Sequence, residues 1–413
     1  MPRYRQPGVY IKEVSSGNKN IQGTPTSLVA FVGSTFRGSG NQPRLIGSWK
    51  DYISEFGDLS HPSGVSDEGD HMALAVRAFY QNGGKEAYIC PLVSHSHSVR
   101  LSSALKKQFT MANSADLRAR EYSDFCTTLL RHHPEVSVLV LPDLPWLAEN
   151  IANEVVRDTL ACCEAAKHCM LLVDPPLDTP LKTTEDIEAL ALPRSSYSVM
   201  YYPWVEVDNP FYHPVTNAKA SRTLAIPPSA LAAAIWAKTD TLHGVWKAPA
   251  GANTQLAVND LQYAVTEDVL ANLNPCGVNC LRSYPGLGFV VWGARTLATD
   301  AEPQWRYIAV RRMAMFIEQS LLKGLQWVVF EPNNQPLWQA VTDSVSAFLR
   351  DLFQAGAFAG QKADDGFFVH CGYGETMSQT DLDNHQLVLL VGFAPLKPAE
   401  FVTLRLQLNT ATP

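Results

Sequence analysis

The stretch from Asn279 to Gly360 reads NCLRSYPGLGFVVWGARTLATDAEPQWRYIAVRRMAMFIEQSLLKGLQWVVFEPNNQPLWQAVTDSVSAFLRDLFQAGAFAG. It is dense in aromatic and aliphatic residues and poor in residues that do chemistry. Thr299 and Glu302, three apart, have the form of a capping box, and Pro303 falls early enough in a helix to be tolerated. Trp305, Ile308, Ala309, Met313, Phe316, Ile317 and Leu321 then mark one helical face. Trp327–Phe330 (WVVF) is too short for a helix of its own and reads as a buried strand. Asn333 or Asn334 caps a second helix with Trp338, Val341, Val345, Phe348, Leu349 and Leu352 as its apolar stripe, and Gly356 ends it. GFFVHC and QLVLLVGF supply two more strands.

Upstream, strands and helices alternate. TSLVAFVG reads as a buried strand, GDHMALAVRAFYQNGG as a helix closed by Gly83-Gly84, and EAYICPLV as a second strand. VSVLVLPDL, a helix from Trp146 to about His168, and MLLVDPP form a strand-helix-strand unit. That alternation predicts an α/β fold, a mixed-sheet body of two subdomains with some parallel pairing. The divisions expected are an N-terminal arm over 1–22, an α/β domain over 23–245, a second over 246–398, and a C-terminal arm over 399–413.

The two arms read as extended strands. GVYIKEV (Gly8 to Val14) precedes the polar hinge SSGNKN, whose Gly, Asn and Ser favour turns and bury little. At the other end, Val402, Leu404, Leu406 and Leu408 alternate with Thr403, Arg405 and Gln407 in the period of a half-buried strand. APLKPAE ahead of it cannot continue a helix. Strands at both ends are open to pairing beyond their own subunit, so Val9, Tyr10, Ile11, Val14, Phe401, Val402, Leu404, Leu406 and Leu408 are the candidate inter-subunit residues.

With 46% apolar and 18% charged residues over 413 positions, the chain is globular rather than disordered and long enough for more than one core. A net charge of -7 argues against a nucleic-acid binder, which needs clustered Lys and Arg against phosphates. No apolar run approaches the ~20 residues of a membrane span, and MPRYRQPGVY lacks the apolar core of a signal peptide; assembly in the cytoplasm is the expectation. The eight cysteines, with Cys162, Cys163 and Cys169 in one helical segment and Cys90 and Cys371 in apolar strands, read as reduced, buried thiols.

Motifs for catalysis are incomplete. Gly83-Gly84-Lys85 is followed by Glu86, an anion where a phosphate would sit, so a helix-ending turn is the better reading. Gly286-Leu287-Gly288 lacks the third glycine of a dinucleotide fingerprint, because position 291 is Val. Ser103-Ala104-Leu105-Lys106 lacks the companion motifs of serine-lysine enzymes. His95 with His97, His132 with His133, and Cys163 with His168 and Cys169 do not supply a four-ligand zinc set. The expectation is no catalytic residue, no cofactor and no metal. The sharpest charged feature is Arg311-Arg312 with Arg306 and Lys323 nearby: a solvated helix face, a set of internal ion pairs, or a basic strip facing an acidic partner. The Trp338 helix with Arg350 is the rival strip.

The order of landmarks carries more than any one motif. PGVYIKEV, TPTSLVAFVGSTFRG, SWKDYISEFG, AVRAFYQNGGKEAYI, SSYSVMYYPWVEV and IPPSALAAAIWAKTDTLHGVWKAPAG are followed by Trp-Gly-Ala-Arg-Thr, Arg-Arg, Phe-Glu-Pro-Asn and APLKPAEFVTLRLQL. This series resembles the tail sheath proteins of contractile phage tails and related contractile injection particles, over most of the chain. Ala230 stands where a glycine commonly follows Pro-Pro-Ser, and Asn384-His385 replaces the usual glycine before the late strand. The resemblance implies a structural, non-enzymatic subunit that polymerises in stacked hexameric rings around an inner tube protein. It also implies contacts with baseplate and tail-terminator proteins and with any sheath paralogues. Arg306, Arg311, Arg312, Lys323 and Arg350 become candidates for facing the tube. The alternative is a minor or non-contracting paralogue at the baseplate or collar.

Overall fold

The computed structural model describes residues 20–35, 38, 42–59, 70–92, 115–396 and 402–409, with the backbone alone at 115–118 and 402–409. The chain divides into a larger compact unit, Thr24–Gln319, and a smaller one assigned to Ser320–Pro413 together with the chain before Thr24.

In the larger unit the strands, in chain order, are β1 (Leu28–Gly33), β2 (Arg44–Ile46), β3 (Ala87–Pro91), β4 (Val136–Val140), β5 (Met170–Val173), β6 (Ser198–Tyr202), β7 (Val205–Asp208), β8 (Thr223–Ile226), β9 (Asp260–Leu261), β10 (Val278–Tyr284) and β11 (Gly288–Trp292). Eight of them form one sheet in the order β11-β10-β6-β5-β4-β1-β3-β2. The strands from β3 through β10 in that order run parallel, while β2 and β11 close the edges antiparallel. Parallel strands need long crossovers, and the helices His71–Gln81, Ala115–His132, Glu149–Ala166 and Ser229–His243 supply them. Both faces are therefore covered, which is why β5 (MLLV) and β6 (SVMYY) are buried at every position. The helix Ser229–His243 is buried from Ser229 through Ala237, its alanines letting it lie close on the sheet. Trp236 on it donates its Nε1–H to the Tyr201 hydroxyl at 2.7 Å. A small sheet, β8-β7-β9, completes the unit.

The division expected at 245/246 is misplaced. β10, beyond that point, pairs with β6 and extends the sheet begun by β1, so the larger unit continues to Gln319. Two local readings also fail for tertiary reasons. The helix expected from Thr299 begins only at Ile308, because the backbone before it is engaged elsewhere. Thr296 N donates to Arg306 O at 2.9 Å and Ile308 N to Ala294 O at 3.0 Å, so Pro303–Trp305 is left as one 3-10 turn. Trp327–Phe330 is not a strand: Gln326–Val328 is another 3-10 turn, and Phe330 is 85% exposed with φ 85°. Four apolar residues without a strand to pair with do not make one.

A phenylalanine held at positive φ in solvent is strained by roughly 1–3 kcal/mol with no burial to offset it. Phe330→Gly is therefore expected to raise stability by about 0.5–1 kcal/mol after the entropy glycine adds to the unfolded chain. A urea midpoint that moves up at constant m is the check.

In the smaller unit, Asn334 caps the helix Gln335–Gln354 by accepting from Leu337 N, and Val341, Val345, Phe348, Leu349 and Leu352 form its buried stripe. Asn333 joins this helix to a sheet: its Oδ1 accepts from Trp338 Nε1 at 2.7 Å, and its Nδ2 donates to Gln386 O at 3.1 Å. That sheet has the order β12-β13-β14, with β12 at Phe367–His370, β13 at Gln386–Phe393 and β14 at Val402–Asn409. His385, where the resemblance leads to a glycine, adopts φ 56°, the left-handed turn that feeds β13.

Candidate assembly surfaces

The C-terminal segment forms the strand its alternation predicts. β14 lies antiparallel to β13 over eight residue pairs, from Gln386 opposite Asn409 to Phe393 opposite Val402. The register sets Val402, Leu404, Leu406 and Leu408 opposite Phe393, Val391, Leu389 and Leu387, and each of those β13 residues is fully buried. Where the sequence reading pairs this segment with a neighbouring subunit, the single chain pairs it with its own β13, and β14 is the outer strand of the sheet. Phe401, Val9, Tyr10, Ile11 and Val14 lie outside the described residues. Of the expected N-terminal arm, Ile21 is described: it is 8% exposed and lies against Gly324, where an added Cβ would sit 2.7 Å from Ile21 Cγ2.

The basic strip does not exist as read. Arg311 and Arg312 are buried, 9% and 4% exposed, and face the interior of the larger unit. Arg312 makes a bidentate pair with Asp240, Nη1 to Oδ1 at 2.9 Å and Nη2 to Oδ2 at 2.5 Å. Arg311 has its guanidinium 3.7 Å from the Tyr197 ring centroid and 4.5 Å from that of Trp305, and burial pushes its pKa down. Neither can present charge to a partner. Arg306 is 42% exposed and pairs with Asp300 at 3.6 Å, while Lys323 and Arg350 are exposed. These three remain available as charged contacts. Asp240 and Thr26, which hold Arg312, lie 72 and 286 residues away, and no local pattern marks them.

At the crevice where a doubly wound sheet binds ligands, this chain's own Ser34, His71 and Asp143 interact with one another. At the ends of β1 and β4, Asp143 Oδ2 accepts from Ser34 N at 2.7 Å and Ser34 Oγ at 2.6 Å, and Oδ1 stands 3.5 Å from His71 Nδ1. The carboxylate sits between hydroxyl and imidazole, which is not the order of a nucleophile, base and orienting acid. Along the sheet, a cleft of about 410 Å³ is lined by Leu147, Val156, Leu190 and the buried Asp174. Asp174 accepts from Ser229 N at 2.9 Å and Ser229 Oγ at 2.5 Å, and burial lifts its pKa to about 7.

Gly83 follows the end of the His71–Gln81 helix at φ 98°, and Gly286 to Gly288 form the turn between β10 and β11, as the sequence suggests. All eight cysteines are free; Cys169 lies beyond the helix that carries Cys162 and Cys163, just ahead of β5. Burial pushes the Cys280 and Cys371 thiols up to about 12. Among the described residues no group of three His, Cys, Asp or Glu could hold a metal ion, and no helix is long and apolar enough to cross a membrane. His95, His97 and the Ser103–Lys106 run lie outside the described residues.

Residues 119–297 match the phage tail sheath protein central domain, and residues 300–409 match the phage tail sheath C-terminal domain. A chain of the anti-feeding prophage helical sheath in its contracted state is 32% identical over 97% of this chain and 99% of that one, with a TM-score of 0.72. This chain belongs to the contractile tail sheath family. The sheath chain is also similar to a chain of the anti-feeding prophage baseplate, at 32% identity and a TM-score of 0.68 over 97% and 98% of the two. A putative prophage major tail sheath protein of Pseudomonas aeruginosa (strain UCBPP-PA14) is 28% identical over 190 residues, 44% of the sheath chain and 45% of that protein. The sheath chain spans less than half the length of the curated relatives it matches.

Proposed function

We propose that this sheath subunit polymerises helically around an inner tube and contracts to drive the tube through a target membrane. In this reading it is made in the cytoplasm and meets baseplate and tail-terminator proteins at the two ends of the polymer. The observation that carries the reading is β14, a terminal strand held on β13 along eight residue pairs at the outer position of its sheet. A neighbour's copy of the same segment fits the same slot with the same main-chain hydrogen bonds, so exchanging one for the other costs little. Each such bond contributes only about 0.5–1.5 kcal/mol net, but a strand makes several and every subunit repeats the link. The polymer then stays connected while the folded bodies shift.

Contraction requires two packings of different stability. A few kcal/mol per subunit, about the gap typical of two-state proteins, sums over many copies into a directed stroke. Lys323 and Arg350, exposed, and Arg306, partly exposed beside Asp300, are the candidate cations for an acidic tube surface. Similarity to a baseplate chain as well as to a helical sheath chain keeps a second reading in play, a minor or non-contracting paralogue. Abundance separates the two, because a main sheath is among the most plentiful polypeptides of purified particles.

Deleting Met1 to Ser16, or ending the chain before Phe401, is expected to leave a soluble monomer that forms no sheath when co-expressed with its tube. Long tubes from either truncation in negative-stain micrographs would contradict strand linkage.

A further inference from the structure

The larger unit begins at Thr24 and ends at Gln319, and the two stretches that carry the chain across those limits lie side by side within it. A cavity of about 30 Å³ is lined by Thr24 and Thr26 from the first stretch and by Met315, Phe316 and Gln319 from the second. Both stretches are fastened to one further element. Arg312, on the outgoing helix, grips Asp240 on the helix Ser229–His243 with two hydrogen bonds. The same Arg312 Nη2 donates to the carbonyl of Thr26 at 2.8 Å, and Thr26 Oγ1 donates to Asp240 Oδ2 at 2.6 Å. Ser137 Oγ adds a bond to the Thr26 carbonyl at 2.6 Å, which ties in β4. The guanidinium carbon stands 4.5 Å from the Trp236 ring centroid, and the two charged side chains are 3% and 5% exposed.

A buried ion pair is a weak stabiliser compared with apolar groups of the same shape, so stability alone is a poor account of its presence here. Directionality is a better one. Apolar surfaces slide, whereas this cluster has one arrangement that satisfies guanidinium, carboxylate, hydroxyl and carbonyl together, and any displacement of Thr26 leaves a buried charge short of a partner.

We propose that Arg312 and Asp240 form the joint that anchors the root of the N-terminal linker to the folded body and carries load between linked copies when the sheath contracts. Arg312 and Asp240 are thus positioning residues for the stroke, and the role rests on the reading that the N-terminal segment links copies. A sheath without this joint keeps its fold but lets the root peel away under tension.

The test uses the full-length chain with Arg312→Met and Asp240→Leu combined, which removes both charges at similar volume. Hydrogen exchange of the backbone over residues 24–28, read by mass spectrometry on the monomer, is expected to accelerate at least 10-fold while Tm stays within a few degrees of the natural chain's. Sheaths assembled from the variant on their tube are expected to break into short ring stacks on contraction, where the natural chain gives continuous contracted tubes. Thr26→Val, which removes one donor and keeps both charges, covers the case in which the double variant fails to fold; its exchange should rise in the same segment by a smaller factor. Unchanged exchange overturns the joint, and faster exchange with intact contracted tubes overturns its load-carrying role. Sheath formation by a chain lacking Met1 to Ser16 overturns the linker reading itself, so the two failures are told apart.

Discussion

Asp240→Leu alone is expected to lower the free energy of unfolding by about 3–5 kcal/mol, the cost of leaving a buried guanidinium without its carboxylate. The substitution strands Arg312 between Trp236 and Thr26, and the Thr26 hydroxyl loses its acceptor in the same step. Adding Arg312→Met to that chain should recover most of the loss, since two apolar groups of similar volume replace the pair. The two single changes and the double form a cycle whose coupling should be large because the side chains touch. Urea midpoints of the four proteins give it directly. A double variant no more stable than Asp240→Leu would mean that packing, not charge, holds this helix pair together.

The second large effect is one of pH. Asp174 is enclosed at the end of β5, and burial outweighs the two hydrogen bonds from Ser229, so its carboxyl titrates near 7 rather than at its ordinary 3.8. The folded state therefore holds a proton that the unfolded chain has released across that interval. Stability falls as pH rises from about 4 to about 7 and is level above it, a total of about 4 kcal/mol from this residue. Glu135 has a lowered pKa and works in the opposite sense, so the comparison must be with a variant rather than with a bare pH scan. Asp174→Asn keeps both contacts, its amide oxygen accepting from Ser229 N–H and its NH₂ donating to the hydroxyl. The variant should come within about 1 kcal/mol of the natural chain near pH 4.5 and exceed it by about 4 kcal/mol near pH 8. Denaturation midpoints of the two proteins running parallel over pH 4.5–8.5 would show that Asp174 stays ionised throughout.

Elements whose burial is periodic along the chain are legible in the amino-acid order. β4, the helix Glu149–Ala166 and β5 follow from apolar runs flanking a helical repeat, and the Gln335–Gln354 helix follows from Asn334 and a stripe that ends before Gly356. The alternation from Val402 to Leu408 specifies a strand in the same way. Each of these signals is carried by residues within two or three turns of one another, where backbone geometry and burial act together.

Tertiary structure decided what contacts what. Arg311 and Arg312 have the same local appearance whether they point to solvent or to Asp240, Tyr197 and Trp305, and the inward arrangement depends on residues 72 or more positions distant for the carboxylate that neutralises Arg312. The start of the Ile308–Gly324 helix is moved by backbone bonds to Ala294 and Thr296, and the limit of the larger unit by the pairing of β10 with β6. Val328 is buried and Phe330 exposed because a turn, not a strand partner, receives that segment. By itself the sequence determined most of the segments that are helix or strand, since burial period and turn chemistry are local, and the order of its landmarks carried the resemblance to the family. The partners of its charges, the extent of its sheet and the slot that takes its last strand were decided only by the folded chain, because they are contacts between segments far apart in sequence.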